Sequence, residues 1–83
     1  LMSFYVYLIT SKDKKKTISY VGYTNNLERR IKLHNTNKGA KFTKGRKWKL
    51  SYYAIYKTKN EAMKKEYILK KNYKLRNKLK GAI

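Results

Sequence analysis

Cysteine is absent from this chain, histidine occurs once, and acids number only four against 23 lysines and arginines. The missing cysteines exclude disulfide frameworks, thiolate catalysis and zinc-thiolate fingers. Four acids (Asp13, Glu28, Glu61, Glu66) are too few and too scattered for a two-metal nuclease, which needs several convergent carboxylates. A zinc site would need three or four ligands from the same small set, and a serine triad would have to recruit His34 and Asp13 with no serine in an elbow motif. The four glycines are dispersed, so no phosphate-binding glycine loop is present. The longest apolar run, Phe4 to Ile9, falls far short of the roughly 20 residues a membrane span requires. No signal peptide is visible, and the lack of cysteine fits a cytoplasmic location.

What remains is basic and aromatic. The formal charge is +19, which calls for a polyanionic partner, nucleic acid before anionic membrane. With 41% hydrophobic and 14% aromatic residues, nine of them tyrosines, the chain is too apolar for a disordered basic tail. Its 83 residues make one domain, spanning residues 1–83. A domain of this size buries about 60–65% of its unfolded surface, so a thin core is expected.

Residues 4–10 (Phe-Tyr-Val-Tyr-Leu-Ile-Thr) read as a strand covered on both faces, and residues 17–23 as a second. Residues 11–16, with Asp13 among lysines, read as a solvated loop between them. A hairpin closing symmetrically at Thr10 and Thr17 would set Tyr7 opposite Tyr20 and Tyr5 opposite Gly22, each pair sharing a sheet face. Asn25 or Asn26 can cap a helix ending near His34 or Asn35, with Leu27 and Ile31 as its apolar stripe and Arg30 beside His34. Residues 35–48 form a long basic loop. A third strand follows over residues 48–56, then a helix over about 61–71 capped by Thr58 or Asn60, and a last short helix over 73–80 after an interruption at Asn72. The order β-β-α-β-α-α defines a small α+β domain with a three-stranded antiparallel sheet.

Each chemically capable residue has a functional and a bland reading. Glu66 neighbours Ala62, Met63 and Leu69 at helical spacing, which sets a carboxylate on or beside the core-facing stripe. It is either a metal ligand or the acid of an ion pair, Lys70 being in the favourable i+4 position. Tyr7 and Tyr20 either present two hydroxyls to one site or simply pack across strands. As a base, either would need cations nearby to favour the phenolate. Arg30 either clamps a phosphate or lies solvated on its helix. His34 either serves a phosphate or proton or is a favourable C-terminal helix residue. In the loop, Lys41, Thr43, Lys44, Arg46 and Lys47 are the candidate nucleic-acid contacts, and Phe42 or Trp48 either stacks on a base or anchors the loop to the core. The cations between Lys64 and Lys80 form a solvated basic face with non-specific phosphate affinity.

In this order the pieces resemble the GIY-YIG nuclease superfamily over nearly the full length. The likeness is greatest to its small stand-alone bacterial members and extends to the amino-terminal nuclease domain found in excinuclease. Tyr5-Val6-Tyr7 matches the first signature triplet and Tyr20-Val21-Gly22 the second. Arg30, eight residues past Gly22, falls on the catalytic arginine; His34-Asn35, Gly39-Ala40-Lys41-Phe42-Thr43 and Glu61-Ala62 through Glu66 continue the match. The first triplet opens on tyrosine rather than glycine, the interval between triplets is slightly long, and no appended DNA-targeting domain is found. The resemblance implies a DNA endonuclease, of a kind used in repair or recombination, with one Mg²⁺ or Mn²⁺ held by Glu66. It further implies that Tyr7, helped by Tyr20, positions or deprotonates water, that Arg30 neutralises phosphorane charge, and that His34 assists phosphate contact or proton transfer. Composition agrees that a single convenient acid permits only a one-metal hydrolytic site. The rival expectation is a non-catalytic basic module that keeps the fold and binds DNA, or RNA in a ribosome-associated setting.

Overall fold

The computed structural model describes residues 2–81. Strand β1 (Phe4–Asp13) lies between β2 (Lys16–Thr24) and β3 (Lys49–Tyr56) in an antiparallel sheet of order β2-β1-β3. Helix α1 (Leu27–Asn35) follows the hairpin, and α2 (Lys59–Lys71) and α3 (Tyr73–Lys80) follow β3. The expected α+β order is therefore the observed one. No helix among the described residues is long and apolar enough to cross a membrane.

The central strand is buried on both faces because its alternating side chains feed two cores. Val6 and Leu8 pack with Val21 and with Ala62 and Leu69 of α2. Tyr7 and Ile9 pack on the opposite face with Trp48 and, through half-buried neighbours, with Leu27 and Ile31 of α1. Side chains cap each helix: Asn26 accepts from the Arg29 amide at 3.1 Å, Thr58 from Glu61 at 3.1 Å and Asn72 from Leu75 at 3.0 Å.

The hairpin corrects one expectation. Residues 11–13 are strand, not loop, and the turn is the two-residue pair Lys14-Lys15 with a positive φ of 60° at Lys14. The register is therefore displaced by two residues from symmetric closure at Thr10 and Thr17: Tyr7 faces Gly22, Tyr20 faces Ile9, and Tyr5 faces Thr24. Tight two-residue closure matches strand twist better than a six-residue loop, and polar residues can extend a ladder whose outer face is solvated. A shift of two preserves the facing of every side chain, so Tyr7 and Tyr20 still share a face, as diagonal rather than direct neighbours.

The segment between α1 and β3 is basic as expected, but it is stapled from within. Asn37 takes a left-handed φ of 64° just past the helix and accepts from the Gly45 amide at 2.7 Å. The Asn35 amide brackets Trp48, accepting from its N–H at 2.6 Å and donating to its carbonyl at 3.1 Å. A single 3₁₀ turn at Lys41–Thr43 sits between these staples.

Leu8 is fully buried at the centre of the α2-side core. Truncation to alanine removes apolar contact and leaves a cavity, at a cost of about 2–5 kcal/mol. In a domain this small that is a large share of total stability. Urea unfolding followed by circular dichroism is expected to show Leu8→Ala mostly unfolded in buffer or with its midpoint sharply lowered.

Candidate active site

The site is organised around a histidine with no exposed surface. His34, on the last turn of α1, has both ring nitrogens engaged: Nε2 with the Tyr7 hydroxyl at 2.7 Å and Nδ1 with Thr43 Oγ1 at 2.9 Å. Thr43 Oγ1 also donates to the Ala40 carbonyl at 2.9 Å and accepts from the Ala40 amide at 3.2 Å. A hydroxyl has one proton. With that proton on the Ala40 carbonyl, Thr43 accepts from His34 Nδ1–H. Nε2 of the neutral ring is then the acceptor, and Tyr7 donates to it. The buried chain thus runs in one direction, from the Tyr7 phenol to the loop backbone.

Two glycines make room for this chain. A Cβ on Gly22 would collide with the Tyr7 hydroxyl, and one on Gly39 would overlap the His34 ring. Gly22 lies on edge strand β2 directly opposite Tyr7, so the phenol extends across the bare backbone towards the sheet edge. Glu66 belongs to α2, which packs on the opposite face of the sheet. Ala62 and Leu69 of the same helix are buried, whereas the Glu66 side chain is 18% exposed and lines a groove with Tyr23. Its Oε2 lies 3.4 Å from Lys70 Nζ, a side chain half exposed to water. Both sequence-level readings of Glu66 are therefore present in one geometry: partial burial at the stripe, and a pair with Lys70.

The charges agree in sign with a hydrolytic site. Burial raises the Tyr7 pKa; the Arg30 guanidinium beside it opposes that by favouring the phenolate, and the more distant Tyr20 and Glu66 add to the rise. Burial wins, so Tyr7 is a protonated phenol at rest. Arg30 is half-buried and its Nε is enclosed without a hydrogen-bond partner among the described residues. The rest of the guanidinium meets the Tyr7 hydroxyl in a side-chain hydrogen bond. His34 is pushed down to about 4, first by burial and second by Arg30. Tyr20 sets its ring against the His34 ring edge, centroids 5.1 Å apart, and stacks on Phe42 at 6.2 Å.

The candidates thus divide. Tyr7, Tyr20, Arg30 and His34 come together, and Glu66 is linked to them by its charge acting on Tyr7. Thr43, expected to touch nucleic acid, does not face solvent at all: it is fully buried, and its hydroxyl is consumed by His34 and Ala40. That expectation is corrected, since three polar partners in the interior hold the side chain inward. Lys41, Lys44 and Lys47 are exposed, and Arg46 is half-exposed, paired with Asp13 at 3.1 Å and set over the Phe42 ring at 6.0 Å. The two loop aromatics separate as well. Trp48 anchors the loop, its indole N–H donating to the Thr43 carbonyl at 2.9 Å, whereas Phe42 is 55% exposed. Sequence reasoning missed Thr43 as the partner that orients His34 and Asn35 as the loop staple. Glycines in a strand and beside a histidine were the available signal for close approach.

Among the described residues no three acids or histidines converge. The donor set is one carboxylate with phenols nearby, and such a set fits a small hard cation that keeps most of its waters.

Comparison with known proteins places this geometry in a family. A family model described as the GIY-YIG catalytic domain matches residues 3–80, and the chain belongs to that family. Its nucleases act on nucleic acid and are typically dependent on a divalent metal. Among similar proteins is a UPF0213 protein of Clostridium perfringens, 48% identical over 68 residues that cover 81% of this chain and 70% of the relative. Another, from Bacillus licheniformis, is 47% identical over 70 residues, covering 83% and 69%. The solution NMR structure of a UPF0213 protein from Bacillus halodurans superposes with a TM-score of 0.55 at 39% identity, covering 94% of this chain and 82% of that one.

A buried neutral histidine leaves a pH signature. The unfolded ring titrates near 6.5 and the folded ring at about 4. Between those values the unfolded chain binds more protons, so stability is complete above about pH 6.5 and drains away as pH falls towards 4, by on the order of 3 kcal/mol. Urea midpoints measured from pH 4 to 7 are expected to fall steeply for the wild type and much less for His34→Gln. Parallel profiles would show that His34 titrates normally.

Proposed function

We propose that the protein is a divalent-metal-dependent endonuclease that hydrolyses DNA phosphodiester bonds. The observation that carries this reading is the polarised contact between the Tyr7 hydroxyl and the buried, neutral His34. With its O–H donated in a hydrogen bond to Nε2 and one lone pair facing Arg30, the Tyr7 oxygen has a further lone pair to accept from a water molecule. That is the placement a general base requires. As Tyr7 takes the water proton, its own passes along the 2.7 Å hydrogen bond to His34, which becomes the imidazolium. Of the two roles considered for His34, phosphate contact and proton transfer, burial favours the second. Tyr20 presents a second phenol on the same face. Arg30, whose guanidinium bonds the Tyr7 hydroxyl and whose Nε has no partner among the described residues, would neutralise charge building on the phosphorane.

Glu66 would hold the Mg²⁺ or Mn²⁺, with water and phosphate oxygens completing the shell, and Lys70 is exposed enough to swing away from it. When bound, the cation supplies Lewis-acid stabilisation of a phosphoryl oxygen. The bases are read by no obvious element, so recognition of backbone and shape is expected.

The rival reading, a basic module that binds DNA or RNA without cutting, draws on the Glu66–Lys70 pair. It predicts no Glu66-dependent cation. Nicking of supercoiled plasmid and branched duplex, assayed with Mg²⁺ or Mn²⁺, separates the two. Wild type is expected to nick, EDTA to abolish cutting, and Glu66→Gln, Tyr7→Phe and Arg30→Ala each to lose about 10²-fold or more. Equal activity in all of these, or none in any, would defeat the proposal.

A further inference from the structure

β3 begins at Lys49, opposite Thr10, so residues 11–13 of β1 project past it with one backbone edge uncovered. A cavity of about 720 Å³ fills this notch. Its walls carry Lys12, Arg46, Lys47, Lys49 and Lys80 against a single acid, Asp13, which Arg46 already pairs at 3.1 Å. Ser11 also lines it. That residue is only 6% exposed. Lys12, Lys47, Lys49 and Lys80 are left over once Arg46 has neutralised Asp13, and this surplus of positive charge beside a serine describes a receptor for phosphate oxygens.

The notch is continuous with the candidate active site. Tyr20 stacks on Phe42 at 6.2 Å, Arg46 sits over Phe42 at 6.0 Å, and Arg46 borders the notch. Along β1, Tyr7 and Ser11 are separated by about 13 Å, at roughly 3.3 Å per strand residue. That span is within reach of a short stretch of nucleic-acid backbone, whose phosphates lie farther apart along the strand than the about 3.4 Å rise per nucleotide along a duplex axis.

We propose that this notch is a second phosphodiester-binding site, gripping the backbone of the bound nucleic-acid strand a short distance along from the phosphate at Tyr7 and Arg30. The intervening strand passes over Phe42, whose exposed ring lies on the path. Free phosphate shares the chemistry of the ligand, but cations spread over a strand end, a loop and α3 suit a polymer that meets them in sequence. The inference rests on the nuclease reading only for what lies at the far end of the strand.

Fluorescence anisotropy with a labelled DNA oligonucleotide, in EDTA so that nothing is cut, tests the site directly. Lys12 and Lys49 are exposed and carry no packing role. The double variant Lys12→Ala/Lys49→Ala is expected to reduce the slope of log affinity against log salt by about 1.5. The matched variant Lys57→Ala/Lys59→Ala, at the other end of β3, should leave it nearly unchanged. In a nicking assay, trimming one end of the substrate one nucleotide at a time towards the cut should weaken the wild type and bring it level with the double variant once the strand no longer reaches the notch. Competition by inorganic phosphate alone, with no dependence on strand length, would mark a free-anion pocket and overturn the proposal, as would equal slopes for the two double variants. Nicking failure in the wild type with the slope difference intact would sink the nuclease reading and leave the notch standing.

Discussion

The structure turns on the His34 ring being held out of water between a strand and a loop. Tyr7 reaches it from β1 and Thr43 from the loop, each within 2.9 Å, so three separate parts of the chain converge on one side chain. An unmatched buried imidazole would cost the desolvation of two polar atoms. Here both are satisfied, and the consequence is chemical as well as structural. The loop backbone fixes the Thr43 proton, Thr43 fixes the tautomer, and the tautomer fixes which way the Tyr7 proton points. Gly22 and Gly39 are the clearances that permit the arrangement.

The electrostatics follow from a scarcity of acids. A formal charge of +19 favours ionisation of any phenol in the chain, yet desolvation outweighs the one nearby guanidinium and Tyr7 stays protonated. Arg30 acts twice: it eases ionisation of Tyr7 and helps keep His34 neutral. Glu66, on the helix that packs against the other core, is the acid whose charge reaches Tyr7, and it retains partial contact with water.

Much of the fold was legible because local signals agreed. Asn26 and Thr58, each one of two candidates, cap α1 and α2, Asn72 interrupts the last two helices as expected and also caps α3, and the aromatic, β-branched run at residues 4–10 forms the doubly covered centre of the sheet. Hairpin register was not legible, since residues 11–16 are polar enough for either a loop or an exposed ladder, and the choice depended on turn geometry at Lys14. For the site, residue types and spacing left Tyr7, Tyr20, Arg30, His34 and Glu66 each open between a functional and a structural reading, and the family resemblance singled them out; the fold packs Tyr7, Tyr20, Arg30 and His34 against one another. Thr43 was misjudged for a definable reason: in a run of lysines a threonine looks like part of the solvated surface, and only the return of the loop onto α1 reveals that it points inward. The same run concealed the division of labour between Trp48, which anchors, and Phe42, which stays in solvent against Tyr20.

The direction of the buried proton chain is the claim on which the chemistry depends, and the nitrogen spectrum of His34 reads it without any assumption about substrate. In uniformly ¹⁵N-labelled protein at neutral pH, long-range proton–nitrogen correlations from the ring carbons' protons distinguish a protonated from a bare nitrogen. A protonated Nδ1 and a bare, hydrogen-bond-accepting Nε2 are expected. A ring protonated at Nε2, or an imidazolium, would reverse the polarity at Tyr7 and contradict its assignment as the group that receives the proton of water.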